Sequence, residues 1–144
     1  MTQRTVREII EGHEPVTAPA STTISDAARL MKQHQIGALM VVDNDKLVGV
    51  FTERDGLFRV LAAGLSGDST PLSAVMTANP QTIGPDAGFT HALQMMHEGR
   101  YRHLPVVEDG RVIGIVSVRD ALGPELEAFV YEMLRQDQIG EVLA

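Results

Sequence analysis

The chain has 144 residues, 44% of them hydrophobic, a formal net charge of −7 and no cysteine. That length and composition suit one compact unit of ordinary size. The acidic balance argues against a protein that coats nucleic acid through its overall field. The lack of thiols excludes disulfides, thiolate nucleophiles and zinc–thiolate centres.

No apolar run approaches the ~20 residues of a membrane span, and the opening MTQRTVREIIEGHE is too polar for a signal peptide. A cytoplasmic protein with neither nucleic acid nor membrane as partner is expected.

In chain order, a short helix or turn near 5–11 leads to Pro15, and an extended piece follows at Val16–Ala18. Ile24, Ala27, Ala28 and Met31 then recur at helical spacing, with Thr23-x-x-Asp26 as the cap. ALMVVDNDKLVGVF reads as strand, tight polar turn and strand. A second helix opens at GVFTERD (49–55) and continues through GLFRVLAAG, and LSGDSTP (65–71) is the connection.

The same order then returns. A turn near 71–76 leads to Pro80, with an extended piece at Gln81–Ile83. A helix carries Phe89, Ala92, Leu93 and Met96, and Gly88-x-x-His91 lacks the capping pair. HLPVVEDGRVIGIV forms a second strand–turn–strand, and GIVSVRD (114–120) opens a helix that meets Gly123-Pro124 and must stop or kink. Met31, Met40, Met95 and Met96 read as core filler. Beyond, Pro124 suits a first helical turn, and Leu126, Phe129, Val130, Met133 and Leu134 make an apolar stripe over a helix at 124–137. That stripe fits packing on its own domain or contact in a dimer.

A shift of 65 residues pairs 5–55 with 70–120, and 11 of the 51 pairs are identical. These include Pro15/Pro80, Ala27/Ala92, Val41/Val106, Gly49/Gly114, Arg54/Arg119 and Asp55/Asp120. The chain therefore reads as a duplication, with repeats at 5–64 and 70–122 within one module spanning 1–144. Each repeat is β-α-β-β-α. A unit that small buries little alone, so the two are expected to pack about a pseudo-twofold axis, with the C-terminal helix added. The fold class is α+β.

The repeated phrase glycine, apolar, apolar, hydroxyl, any residue, arginine, aspartate has two readings. Thr52 with Asp55 and Ser117 with Asp120 satisfy the pattern of a capping box. The same groups also suit a nucleotide. A hydroxyl and an arginine bond phosphate, and a carboxylate accepts from a ribose diol.

With these residues the chain resembles a tandem pair of cystathionine-β-synthase (CBS) domains, a Bateman module, of the stand-alone bacterial type. The resemblance covers about 5–122 and rests on TISDAARLM, on RHLPVVEDGRVIGIVSVRD and on the phrase in both halves. It implies two clefts that bind AMP, ADP, ATP, NAD or S-adenosylmethionine. Carried over by position, Asp55 and Asp120 hold ribose hydroxyls, and Thr52 and Ser117 bond ribose or phosphate. Backbone near Thr17, Ala18, Thr82 and Ile83 meets the adenine edge. Segments containing Gly37, Ala38 and Met40, and Tyr101, Arg102, His103 and Pro105, line the adenine and phosphate region. Arg54 and Arg119 are the phrase's own arginines. The resemblance also implies a homodimer.

The halves differ where QIGAL in the first stands against RYRHL in the second. The cationic second segment, with Arg119 and Arg111 nearby, is the expected phosphate clamp. Two inequivalent sites follow, with a phosphate-rich nucleotide favoured by the second segment.

No nucleophile–base–orienter set, Walker loop or dinucleotide glycine loop is visible. The histidines at 13, 34, 91, 97 and 103 show no ligand spacing. Hence no enzyme, catalytic cofactor or metal site is expected. The functional expectation is a regulatory adenine-nucleotide sensor that signals to a protein partner. Its rivals are a structural dimer with vestigial clefts and an S-adenosylmethionine sensor.

Overall fold

The structure is a computed structural model, and it describes residues 4–122 and 131–136. Helix α1 (Val6–Ile10) is followed by β1 (Thr17–Ala18), α2 (Ile24–His34), β2 (Ala38–Asp43) and β3 (Lys46–Thr52). The short α3 (Glu53–Asp55) runs into a wider π-helical segment, Gly56–Leu61. A 3-10 turn at Leu72–Ala74 leads to β4 (Thr77–Ala78), α4 (Phe89–Gly99), β5 (His103–Glu108), β6 (Arg111–Ser117) and a 3-10 segment at Val118–Leu122.

The local chemistry explains these elements. Thr23 Oγ1 accepts from Asp26 N at 3.2 Å and caps α2, whereas Gly88 gives α4 no side-chain cap. Ile24, Ala27 and Met31 on α2, and Phe89, Ala92 and Met96 on α4, are the buried faces. Each hairpin turns on two residues of positive φ, Asn44 (53°) with Asp45 (63°) and Asp109 (53°) with Gly110 (79°). That is the turn whose twist suits antiparallel strands. Both hairpins also carry one extra residue at the same register position. The pairing steps from Val41↔Gly49 to Val42↔Leu47, and from Val106↔Gly114 to Val107↔Val112.

β1 pairs in parallel with β2, and β2, β3 and β4 are antiparallel neighbours. In the second repeat β5 pairs with β6, and a single bridge from Ile83 to Val106 stands where β1 stands in the first. β3 and β6, equivalent strands of the two repeats, approach each other between the sheets. The fold is thus two α+β repeats about a pseudo-twofold axis.

The leading segments exchange places. Val6 and Ile10 of α1 open the first repeat but lie in the core of the second, with Phe89, Met96, Leu104 and Val116. Leu72 and Val75 open the second repeat but lie in the core of the first, with Ile24, Leu39, Val41 and Phe51. Backbone bonds hold the exchange: Phe89 N donates to Arg4 O at 2.8 Å, and Leu72 N to Thr22 O at 2.8 Å.

The glycine of the repeated phrase is explained by the same crossing. A Cβ on Gly114 would stand 2.9 Å from Ile10 Cβ, and one on Gly49 would stand 2.8 Å from Met76 Cγ. The glycine leaves room for the segment arriving from the far side.

Of the expected C-terminal helix, 131–136 is helical, and Tyr131, Met133 and Leu134 are exposed there. Leu126, Phe129 and Val130 lie outside the described residues.

Candidate functional site

A cleft of about 480 Å³ opens between the repeats, within the ~300–1,000 Å³ usual for small-molecule sites. Two segments in register with each other enter it. α2 and α4 each end on a left-handed residue, Gln35 (φ 54°) and Arg100 (φ 59°), which turns the chain back under its helix. Ile36 N then donates to Met31 O at 3.0 Å and Tyr101 N to Met96 O at 3.1 Å.

The residue after each phrase hydroxyl ties the phrase to its segment. Glu53 N donates to Gly37 O at 3.0 Å, and Val118 N to Arg102 O at 3.1 Å.

Gln35, Ile36, Gly37 and Ala38 of the first repeat and Arg102 and His103 of the second line this one cleft. The sequence reading gave each segment a cleft of its own; here both contribute to the same one. The two segments occupy equivalent positions near the pseudo-twofold, so they converge from opposite sides.

The capping reading holds for the carboxylates. Thr52 N donates to Asp55 Oδ2 at 2.9 Å, with Asp55 N returning to Thr52 Oγ1 at 3.2 Å. Ser117 N donates to Asp120 Oδ2 at 2.7 Å. The two phrases then part company. Ser117, Arg119 and Asp120 line the cleft. Thr52, Arg54 and Asp55 do not. Asp55 Oδ1 lies 3.5 Å from Arg59 Nε and is 13% exposed, while Arg54 sits over the Phe58 ring at 5.3 Å.

Among the other expected site residues, Ala18, Met40, Ile83 and Pro105 are buried, so their side chains are spent on packing. Thr17 and Thr82 are exposed outside the cleft. The Tyr101 hydroxyl donates to the Gln81 side-chain carbonyl, and neither residue lines the cleft.

Several lining residues escaped the sequence reading: Ile9, Ile10 and His13 from the exchanged N-terminal segment, Val16, Ile115, and above all Glu53. For Glu53 a signal existed. It is the free position beside the phrase hydroxyl, held at the cleft by a backbone bond that any side chain permits.

His103 stands amid four charged side chains. Burial pushes its imidazole below the ordinary 6.5; Glu53 and Asp120 oppose that shift, and Arg102 and Arg119 reinforce it. A histidine held low in the native state resists a proton that the unfolded chain accepts. Its contribution to stability is therefore complete above about pH 7.5 and is lost as pH falls through 6.5 towards the native value. Denaturation midpoints of wild type and His103→Gln at pH 7.5 and 5.5 check this. The wild type should lose more stability on acidification than the variant. Parallel losses would mean that His103 titrates as it does unfolded.

Among the described residues, no three histidine, aspartate or glutamate side chains gather as metal ligands. No helix there is long and apolar enough to cross a membrane.

Two copies of one α+β unit around a ligand-sized cleft define a tandem-repeat module whose shared surface is the candidate site. The family model for the CBS domain matches residues 6–61 and 72–124, and the chain belongs to the CBS-domain family.

It is 38% identical over 121 residues to the CBS domain-containing protein CBSCBSPB1 of Arabidopsis thaliana; the match takes in 83% of this chain and 22% of that protein. The chain thus spans about a fifth of the length of such relatives. The CBS-domain containing protein ATU1752 of Agrobacterium tumefaciens superposes with a TM-score of 0.76 at 32% identity, over 83% of this chain and 97% of that one. The CBS domain protein PAE2072 of Pyrobaculum aerophilum, solved in complex with AMP, superposes with a TM-score of 0.78 over 92% and 99% at 24% identity, a likeness of fold.

Proposed function

We propose that this CBS pair is a non-enzymatic regulatory module that binds an adenosine-containing nucleotide in the cleft between its repeats. One observation carries the reading. The cleft sets an apolar wall of Ile9, Ile10, Val16, Ile36 and Ile115 beside the Ser117–Asp120 phrase and two arginines, Arg102 and Arg119. An apolar wall takes a flat base, a carboxylate accepts from the ribose diol, and the guanidinium groups meet phosphate. The AMP held by the Pyrobaculum neighbour supports that ligand class. AMP, ADP, ATP and NAD all present the same adenosine half.

Because the cleft is built from both repeats, a ligand that prefers one setting of the repeats shifts the population towards it. Output then passes to a protein partner or a second copy of the chain. The exposed Leu57, Phe58 and Leu61 offer an apolar row for such a contact, which supports a homodimer.

A thermal-shift series with AMP, ADP, ATP, NAD and S-adenosylmethionine tests the reading. The midpoint should rise with concentration for at least one adenine nucleotide, and mass spectrometry of the purified protein should release the same compound. Silence across the panel would favour a structural dimer, and a response to S-adenosylmethionine alone would replace the nucleotide with that ligand.

A further inference from the structure

We propose that Glu53 sets the ligand's charge, admitting a nucleoside monophosphate and turning away a triphosphate. The inference rests on the nucleotide reading of the cleft. Four charged side chains line that cleft, Arg102 and Arg119 against Glu53 and Asp120, so the formal charges cancel. A cleft so balanced can neutralise one phosphate with its arginines, but among the described residues it offers no further arginine or lysine for a second or third. Asp120 belongs to the capping phrase. Glu53 makes no side-chain hydrogen bond or ion pair to any described residue, and its carboxylate stands in the cleft on the opposite repeat.

The geometry holds it there. Glu53 N is bonded to Gly37 O at 3.0 Å, and its Oε1 lies 3.1 Å from where a Cβ on residue 37 would be. The side chain therefore lies against bare backbone at a glycine. The equivalent position in the second repeat is Val118, which brings no charge. Glu53 also acts electrostatically on His103, as do Asp120 and both arginines, which gathers the four charges around one end of the cleft. A longer phosphate chain must share that end with an exposed carboxylate, and like charges a few ångströms apart repel each other.

Isothermal titration of the full chain with AMP, ADP and ATP in EDTA, at constant ionic strength, tests this. Wild type should bind AMP about tenfold or more tighter than ATP. Glu53→Gln keeps the shape and removes the charge. It should tighten ATP about five- to tenfold while AMP changes less than about twofold. Equal affinities in wild type, or an unchanged ratio in Glu53→Gln, would overturn the proposal. So would a gain in ATP affinity with magnesium that Glu53→Gln abolishes, because Glu53 would then recruit a cation. If no adenine nucleotide binds wild type, the nucleotide reading itself fails and takes this proposal with it.

Discussion

Ile10→Ala is expected to destabilise the protein by about 2–5 kcal/mol, the usual cost of emptying a buried isoleucine site, and the loss should fall on the second repeat. Ile10 is 8% exposed and Val6 fully buried, both within the core of α4, β5 and β6. The first repeat's core takes no side chain from α1. Ile10 Cβ also lies 2.9 Å from where a Cβ on Gly114 would stand, so α1 packs closely on β6. Hydrogen exchange on wild type and Ile10→Ala would locate the effect. Amides of His103–Glu108 and Arg111–Ser117 should exchange faster, with Ala38–Asp43 and Lys46–Thr52 changed far less. Faster exchange confined to the first hairpin would contradict the crossing of α1. Val6→Ala should act in the same place with a smaller loss, since it removes a smaller side chain.

That crossing marks the limit of what the sequence could convey. The apolar spacing of Val6, Ile9 and Ile10 says that a face is buried, but not in which of two similar cores. Register placed Thr5 and Thr70 at the head of their own repeats, whereas Arg4 O, Val6 N and Arg7 N bond to the main chain of residues 85–89. Features set by neighbours in the chain were legible. Thr23 caps α2, Gly88 leaves α4 without a side-chain cap, and the two-residue turns fall at Asn44-Asp45 and Asp109-Gly110.

The site was legible only in part, for the same reason. Gly37, Ala38, Arg102, His103, Ser117, Arg119 and Asp120 meet in the cleft because they belong to the segments and phrase that the repeat itself picks out. The partners from outside those segments, Ile9 and His13, depend on how one repeat lies on the other, and Glu53 stands at the one position of the phrase that the repeat leaves free. The two phrases also read alike while their aspartates do not behave alike. Arg59, which engages Asp55, lies four residues beyond it, and the register places Pro124 at the matching position in the second repeat.

Asp120→Asn should weaken AMP binding by about 1–3 kcal/mol, roughly 5- to 150-fold, the worth of hydrogen bonds to an ionised acceptor. Asparagine is the informative change because Asp120 has two tasks. Its Oδ2 accepts from Ser117 N at 2.7 Å, and an amide oxygen can take over that bond, so the start of the 3-10 segment survives. What the amide lacks is the charge that draws two ribose hydroxyl protons at once. Alanine would remove both tasks together and leave the cause of any loss ambiguous.

Asp55→Asn is the matched control. Its Oδ2 likewise accepts from the backbone N of the phrase hydroxyl residue, but its carboxylate is turned to Arg59 and it does not line the cleft; AMP affinity should stay within about twofold. Titration calorimetry on the three proteins, with thermal midpoints confirming that each is folded, reads the result. Normal binding by Asp120→Asn would reduce Asp120 to a cap. A loss confined to Asp55→Asn would move the ligand to the first phrase. A loss confined to Asp120→Asn would mean that a phrase written twice binds once in this cleft, because the two copies face different partners.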